Sequence, residues 1–315
     1  MQPTTVKPRV DRRYLLLALL LALAVYVLVP QIGDFRSSWH LLGHATPGWT
    51  TVAVCLTLLT YPAAAMTYYL LSLKPLKYAL TVLVQLAAMF VNRLLPGGIG
   101  ALGANYTYLR AQRLSRVQAA SLVAVNNLLG MAGHGLLLVI LLIADPLDFL
   151  PKYHRWNGRL STVIVVVALV VILAVLILGR TRFQRQIKDL ADQLRGYKQR
   201  LWRLPLALLS STLLTIFNVT CLIACGLALG VHLPLAATFL VFTFGVGAGT
   251  ATPTPGGLGG YEAALAAGFI AYHVASPVAL ATALLYRLVS YWLPLGFGAL
   301  AFVSAQRRHV FSSSD

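Results

Sequence analysis

The chain has 315 residues, 58% of them hydrophobic and only 10% charged, with a mean hydropathy of +0.77. Soluble domains carry about 25% charged residues, so a water-soluble fold is excluded. The net charge of +17 lies in short stretches beside apolar segments, without a recognition motif. That is the positive-inside pattern of a membrane protein, and it excludes a nucleic-acid partner.

Residues 1–13 form a basic N-terminus with Lys7, Arg9, Arg12 and Arg13. The apolar run that follows, 14–29, contains Ala22-Leu23-Ala24, which resembles a signal-peptide cleavage site. It is read as the first span, because the repeat described below needs it. Further apolar segments run over 50–73, 78–95, 118–143, 160–178, 206–229, 236–251 and 279–303. Several approach or exceed the ~20 residues that cross a bilayer. Two shorter segments, 101–113 and 259–273, each follow a Gly-rich loop.

Those two loops carry most of the information. Pro96-Gly97-Gly98-Ile99-Gly100-Ala101 recurs 159 residues later as Pro255-Gly256-Gly257-Leu258-Gly259-Gly260. Both interrupt hydrophobic sequence. Backbone broken at membrane depth is tolerated only inside protein or along a water-filled cavity. Paired interruptions of this kind in two halves point to a transporter's binding site. The apolar segments recur with similar offsets, so half one is 14–143 and half two is 160–303.

Sidedness follows from the charges. If each broken segment is a re-entrant hairpin, the regions 1–13, 74–77, 110–116, 179–205 and 304–315 lie inside with 19 Lys/Arg, and the outside loops 30–49 and 144–159 hold 4. Making 78–95 one full span would put the eight charges of 179–205 outside, against the rule. The expected fold is therefore all-α: a polytopic helix bundle of two inverted halves, each with three spans and one Gly/Pro-broken hairpin. Both termini, including the tail 304–315, would be cytoplasmic. The plainer alternative is a pair of kinked helices.

In the connecting segment 179–205, Phe183, Ile187, Leu190, Leu194, Tyr197 and Leu201 share one helical face, and basic residues cover much of the rest. Such a helix fits an anionic lipid surface or packing as a linker on the bundle. Trp39, Trp49, Trp156 and Trp202 flank spans and read as interfacial anchors. Cys55, Cys221 and Cys225 lie in apolar segments and read as small hydrophobes.

Ionisable groups inside spans are expensive, which makes them functional candidates. Glu262, the only glutamate, lies two residues after the second Gly-rich loop. It suits a coupling or gating role, or a pair with a buried cation. Arg287 lies within the last span and can hold a phosphate or carboxylate through two parallel hydrogen bonds. Glu262 is its natural partner when no ligand is bound, so the pair is either structural or a gate. Arg93, preceded by Asn92, is the cation of the first half; a snorkelling role competes with binding. Asn127 falls opposite Arg287 under the repeat, with Asn126 and His134 on the same segment; these suit interhelical hydrogen bonds, or a proton relay through His134. The backbone N–H groups of Gly97, Gly98, Gly256 and Gly257 offer anion contacts. No nucleotide motif, metal set or catalytic constellation is present, so neither cofactor nor metal is expected.

Thr252-Pro253-Thr254-Pro255-Gly256-Gly257-Leu258-Gly259-Gly260-Tyr261-Glu262-Ala263, followed by Leu284-Leu285-Tyr286-Arg287-Leu288 and Trp292-Leu293-Pro294, resembles the lysylphosphatidylglycerol synthase transmembrane region family. Asn92-Arg93-Leu94-Leu95-Pro96-Gly97-Gly98-Ile99-Gly100 is similar to its first motif. The resemblance covers roughly residues 12–305. It implies a bacterial or archaeal inner-membrane flippase-like domain without the aminoacyltransferase domain that some members carry. Its cargo would then be a membrane lipid or lipid-linked head group, with Arg93, Arg287, Asn92, Asn127, Tyr286 and the loop glycines as contacts. The expectation is a non-enzymatic carrier. The alternative is a membrane partner or scaffold of a lipid-modifying enzyme, and either form is compatible with a homo-oligomer.

Overall fold

A computed structural model of the chain describes residues 40–72, 74–95, 99–144, 202–308 and 310–311, and every regular element among them is helical. The segments 14–29 and 160–178, most of 179–205, the first loop's Pro96, Gly97 and Gly98, and residues 309 and 312–315 of the tail lie outside the described residues.

Four helical stretches are long and apolar enough to cross a membrane. They are α1 (Pro47–Leu71), α4 (Arg116–Ala144), α5 (Arg203–Ala228) and the final stretch Ser276–Arg307. α1 starts on Pro47, where a missing N–H costs nothing because the first turn has no helical acceptor for it. The final stretch has three parts: α8 (Ser276–Arg287), a π-helical turn at Leu288–Trp292, and α9 (Leu293–Arg307). The remaining helices are short. α2 (Tyr78–Leu94) and α6 (Leu235–Ala251) have 17 residues each; α3 (Ile99–Ala111) and α7 (Gly260–Ala271) have 13 and 12. At 1.5 Å per residue they reach about 25 and 20 Å, less than the ~30 Å apolar core of a bilayer.

The repeat is visible in local geometry as well as in sequence. Two residues past the end of α3, Arg113 has φ 61°, and two past the end of α7, His273, 160 residues later, has φ 63°. The Leu114 N–H donates to the Leu109 carbonyl at 3.3 Å, and the Val274 N–H to the Phe269 carbonyl at 3.2 Å. These are the same Schellman closure. The next helices begin at Arg116 and Ser276, keeping that offset. None of these paired residues is identical, so the helix-ending geometry is retained without the side chains.

α1 and α5, the corresponding long helices of the two halves, pack along each other. Small and polar residues line the seam: the Ser210 hydroxyl donates to the Ala63 carbonyl at 2.8 Å, and the Thr57 hydroxyl lies 3.3 Å from the Cys221 sulfur. Cys221 and Cys225 are buried on α5, Cys55 exposed on α1. One apolar cluster joins α5, α6, α7 and α8 around Leu222, Phe239, Leu265 and Phe269. A second joins α2 and α3 to α9 around Val84, Tyr108, Leu109 and Ala305. The halves are not equivalent. α2 lies flat on α9, where a Cβ on Gly298 would come within 3.0 Å of the Leu86 carbonyl. Its counterpart α6 only touches α4. Trp49 and Trp202 are exposed near helix starts, as interfacial anchors are.

Candidate functional site

The second Gly-rich loop begins where α6 runs out of N–H donors. Pro253 and Pro255 cannot continue the helix, and the chain turns through a short 3₁₀ segment, Pro255–Gly257. Gly256 and Gly257 have φ of 62° and 66°. A Cβ on Gly256 would fall 2.2 Å from the Tyr291 ring, and one on Gly257 2.5 Å from the Gly249 carbonyl. Both conformation and space therefore demand glycine.

Glu262 sits in the first turn of α7 and divides its carboxylate. Oε2 accepts from the Gly259 N–H at 2.8 Å, the backward-reaching half of a capping box. Oε1 accepts from Arg287 Nε at 2.6 Å. Arg287 Nη2 donates to the Gly256 carbonyl at 2.9 Å. The side chains of Arg287 and Glu262 are 7% and 14% exposed. One ion pair thus ties together the loop, the half-helix and the final stretch. The Arg287 guanidinium also lies over two rings, 4.8 Å from the Tyr261 centroid and 4.2 Å from that of Tyr291.

Arg93 reaches the same place from the last turn of α2. Its guanidinium donates to the carbonyls of Ser290 and Tyr291. The reason lies in the π-turn. In an α-helix the Ser290 carbonyl would accept from residue 294, but Pro294 has no N–H to give. The ladder shifts instead, with the Leu293 N–H donating to the Leu288 carbonyl. Arg93 supplies the donor that Pro294 lacks. Its Cζ also lies 4.8 Å from the Tyr291 centroid, and it is 7% exposed. Asn92 Oδ1 accepts from the Ala101 N–H at 3.1 Å, holding the start of α3 across the hairpin. Deeper in the same hairpin, Gln85 Nε2 donates to Asn105 Oδ1 at 2.8 Å.

Arg93 and Arg287 face a cavity of about 380 Å³. Asn92 and Arg93 line it from α2, Asn218 from α5, Thr250 from α6, Gly256 and Gly257 from the loop, Tyr261 from α7, and Tyr286, Arg287, Ser290 and Tyr291 from the final stretch. Among the described residues the site carries two guanidiniums and one carboxylate, a net charge of +1. The Tyr286 hydroxyl donates weakly to Asn218 Oδ1 at 3.4 Å, and its ring stacks on Tyr261 with centroids 6.2 Å apart.

Of the residues singled out from sequence, Asn92, Arg93, Gly256, Gly257, Tyr286 and Arg287 meet around the cavity, with Glu262 behind Arg287. Gly97 and Gly98 lie outside the described residues. Asn127 and His134 do not reach the cavity. The Asn127 amide donates to the Val123 carbonyl of its own helix at 2.8 Å. His134 Nε2 lies 3.1 Å from the Thr243 hydroxyl, its ring 4.9 Å from that of Phe239. Pseudosymmetry puts Asn127 opposite Arg287, but α4 meets the second hairpin where His134 contacts α6, away from the cavity, and Asn127 bonds within its own helix. Sequence reasoning missed Tyr261, Tyr291, Ser290 and Asn218. Two signals were available: Tyr291 is one helical turn beyond Arg287, and Pro294 frees a carbonyl one turn before itself.

Comparison with curated proteins gives no match. A family model described as the lysylphosphatidylglycerol synthase TM region matches residues 15–298. The match spans both halves, both Gly-rich loops and every residue of the cavity. The chain is a multi-pass membrane protein and belongs to the lysylphosphatidylglycerol synthase transmembrane region family.

Proposed function

We propose that the chain carries the head group of an anionic or lipid-linked amphiphile between membrane leaflets while the tail stays in the bilayer. The observation that carries this reading is the cavity where the two hairpins meet, with its two buried guanidiniums against one carboxylate. A charged head group crossing hydrocarbon unaided faces a barrier of several kcal/mol. A cavity that presents fixed donors to the head group lowers that barrier. The surplus charge of +1 selects an anion, and guanidiniums pair with phosphate in two-pronged geometry. Glu262 is the resident anion on Arg287. A head-group phosphate that replaces it would free the start of α7, so the ion pair doubles as a gate. Glu262 is also the first candidate for coupling to protons.

The short helices α2 with α3 and α6 with α7 are read as re-entrant hairpins entering from opposite faces, in a cytoplasmic membrane with both termini inside. No chemical step on the lipid belongs to this reading.

A second reading is a non-transporting partner of a lipid-modifying enzyme. It is favoured by one fact: Arg93 and Arg287 already have partners within the protein. Leaflet exchange in vesicles decides between the two. Purified protein is reconstituted with acyl-labelled phosphatidylglycerol or phosphatidylcholine, and loss of fluorescence to an outside quencher is followed. Protein-dependent exchange that is faster for the anionic lipid supports the carrier. Folded protein that exchanges neither lipid favours the partner.

A further inference from the structure

The cavity holds an arrangement that neither the charge count nor the family explains: two guanidiniums share one aromatic ring. Their carbons lie 4.8 and 4.2 Å from the Tyr291 centroid. That places the cations within about 9 Å of each other, close enough to repel through a medium that salt barely screens. Among the described residues, the one carboxylate at hand is committed to Arg287.

Three features hold the ring in position. The Tyr291 hydroxyl donates to the Arg93 carbonyl at 3.4 Å. The π-turn sets its backbone, which Arg93 in turn caps. Gly256 leaves the space that a Cβ would take, 2.2 Å from the ring edge. The residue is 6% exposed. Packing alone does not ask for a ring between two like charges, whereas an aromatic quadrupole attracts both.

We propose that Tyr291 is a positioning residue that balances Arg93 and Arg287 in the empty cavity, and so keeps an anionic head group from being held too tightly to leave. This rests on the carrier reading for its consequence in transport, though not for its effect on anion binding. With the ring present, each guanidinium has neutral acceptors and a π face, so an arriving phosphate adds to a site already partly balanced. Without the ring, the two cations depend on the anion. Binding then tightens and release slows, in keeping with the general rule that extra ground-state binding does not raise turnover.

The test uses full-length protein carrying Tyr291→Phe, which keeps the ring, and Tyr291→Leu and Tyr291→Met, which remove it. Two removals are made because one can fail to fold. Only variants that elute as a single helical species proceed. The exchange rate of acyl-labelled phosphatidylglycerol is measured against its mole fraction in the vesicle. Tyr291→Phe, which keeps the ring but loses the bond to the Arg93 carbonyl, should leave the half-saturating fraction within about twofold of wild type whatever happens to the maximal rate, while a ring-less variant should lower the half-saturating fraction about fivefold and also lower the maximal rate. A packing role alone would lower the maximal rate and leave half-saturation where it was, and that result overturns the proposal.

A second arm is independent of transport. Reaction of Arg287 with phenylglyoxal is quantified by peptide mass spectrometry under increasing inorganic phosphate. Protection at about fivefold less phosphate in the ring-less variants supports the proposal, and equal protection overturns it. If the wild type moves no lipid, the carrier reading falls and this arm alone decides on Tyr291.

Discussion

Arg287 and Glu262, 25 residues apart, meet through a 2.6 Å contact between Nε and Oε1 that is largely shielded from solvent. The pair joins the final helical stretch to the start of α7. Removing one partner of a buried pair leaves the other charged and unpaired, at a cost of about 3–5 kcal/mol. Glu262→Gln keeps an oxygen for the Gly259 N–H but removes the counter-charge. The expected result is a lower unfolding temperature in detergent, a larger loss for Glu262→Ala, and an altered exchange rate for anionic lipid. Glu262→Gln exchange equal to wild type would separate the pair from the gate.

Gly256 makes a second case. Alanine there meets the left-handed φ penalty of about 1–2 kcal/mol and a collision with the Tyr291 ring. The expected loss is about 2–5 kcal/mol, adding an overpacking term to the backbone one. In a Tyr291→Ala background the steric part should vanish and the backbone part remain. Thermal unfolding of the two single variants and the double variant reads the coupling directly. Additive losses would contradict the contact.

If Arg93 caps the carbonyl that Pro294 frees, restoring a donor should make it less necessary. Pro294→Ala supplies an N–H to Ser290, so Arg93→Ala should be milder in that background than in wild type by about 1 kcal/mol or more. A double-mutant cycle on unfolding free energies checks this. Equal cost in both backgrounds would mean that Arg93 does something other than cap the turn.

Asn92 is expected to act chiefly within its own hairpin. Its side chain accepts the Ala101 N–H near the start of α3, and Asn92→Ala should cost about 1 kcal/mol, the usual loss on removing a helix cap. Asn92→Asp should retain the cap but add a negative charge to the cavity rim. Its exchange of anionic lipid should fall while its unfolding temperature stays near wild type, and a fall in both would contradict this.

The sequence made the frame legible because membranes impose strict rules. Span lengths, the repeated Pro-Gly-Gly loop and the position of Glu262 each follow from how lipid treats unpaired backbone and charge. α2, α4 and α6 fall within a residue or two of the predicted segments for that reason. The Arg287–Glu262 pair was also legible, since a buried cation seeks the only glutamate. What sequence did not disclose depended on asymmetry between the halves. Asn127 was placed by assuming that both halves pack alike, yet α2 lies on α9 while α6 only touches α4. The π-turn was similarly hidden: Pro294 signals a freed carbonyl but does not say that an arginine from the other half, 197 residues away, will fill it. Tyr291 and Tyr261 escaped notice because aromatic residues are ordinary in membrane helices until a guanidinium is found on their faces.

The most direct test of the account is the exchange of acyl-labelled phosphatidylglycerol by vesicles holding wild-type protein, Arg287→Lys or Arg287→Ala, with phosphatidylcholine exchange as reference. The account predicts that wild type moves the anionic lipid faster. It also predicts that Arg287→Ala loses most of that preference and that Arg287→Lys, which keeps the charge but not the two-pronged geometry, falls between them. Equal exchange of phosphatidylglycerol by all three proteins would contradict it.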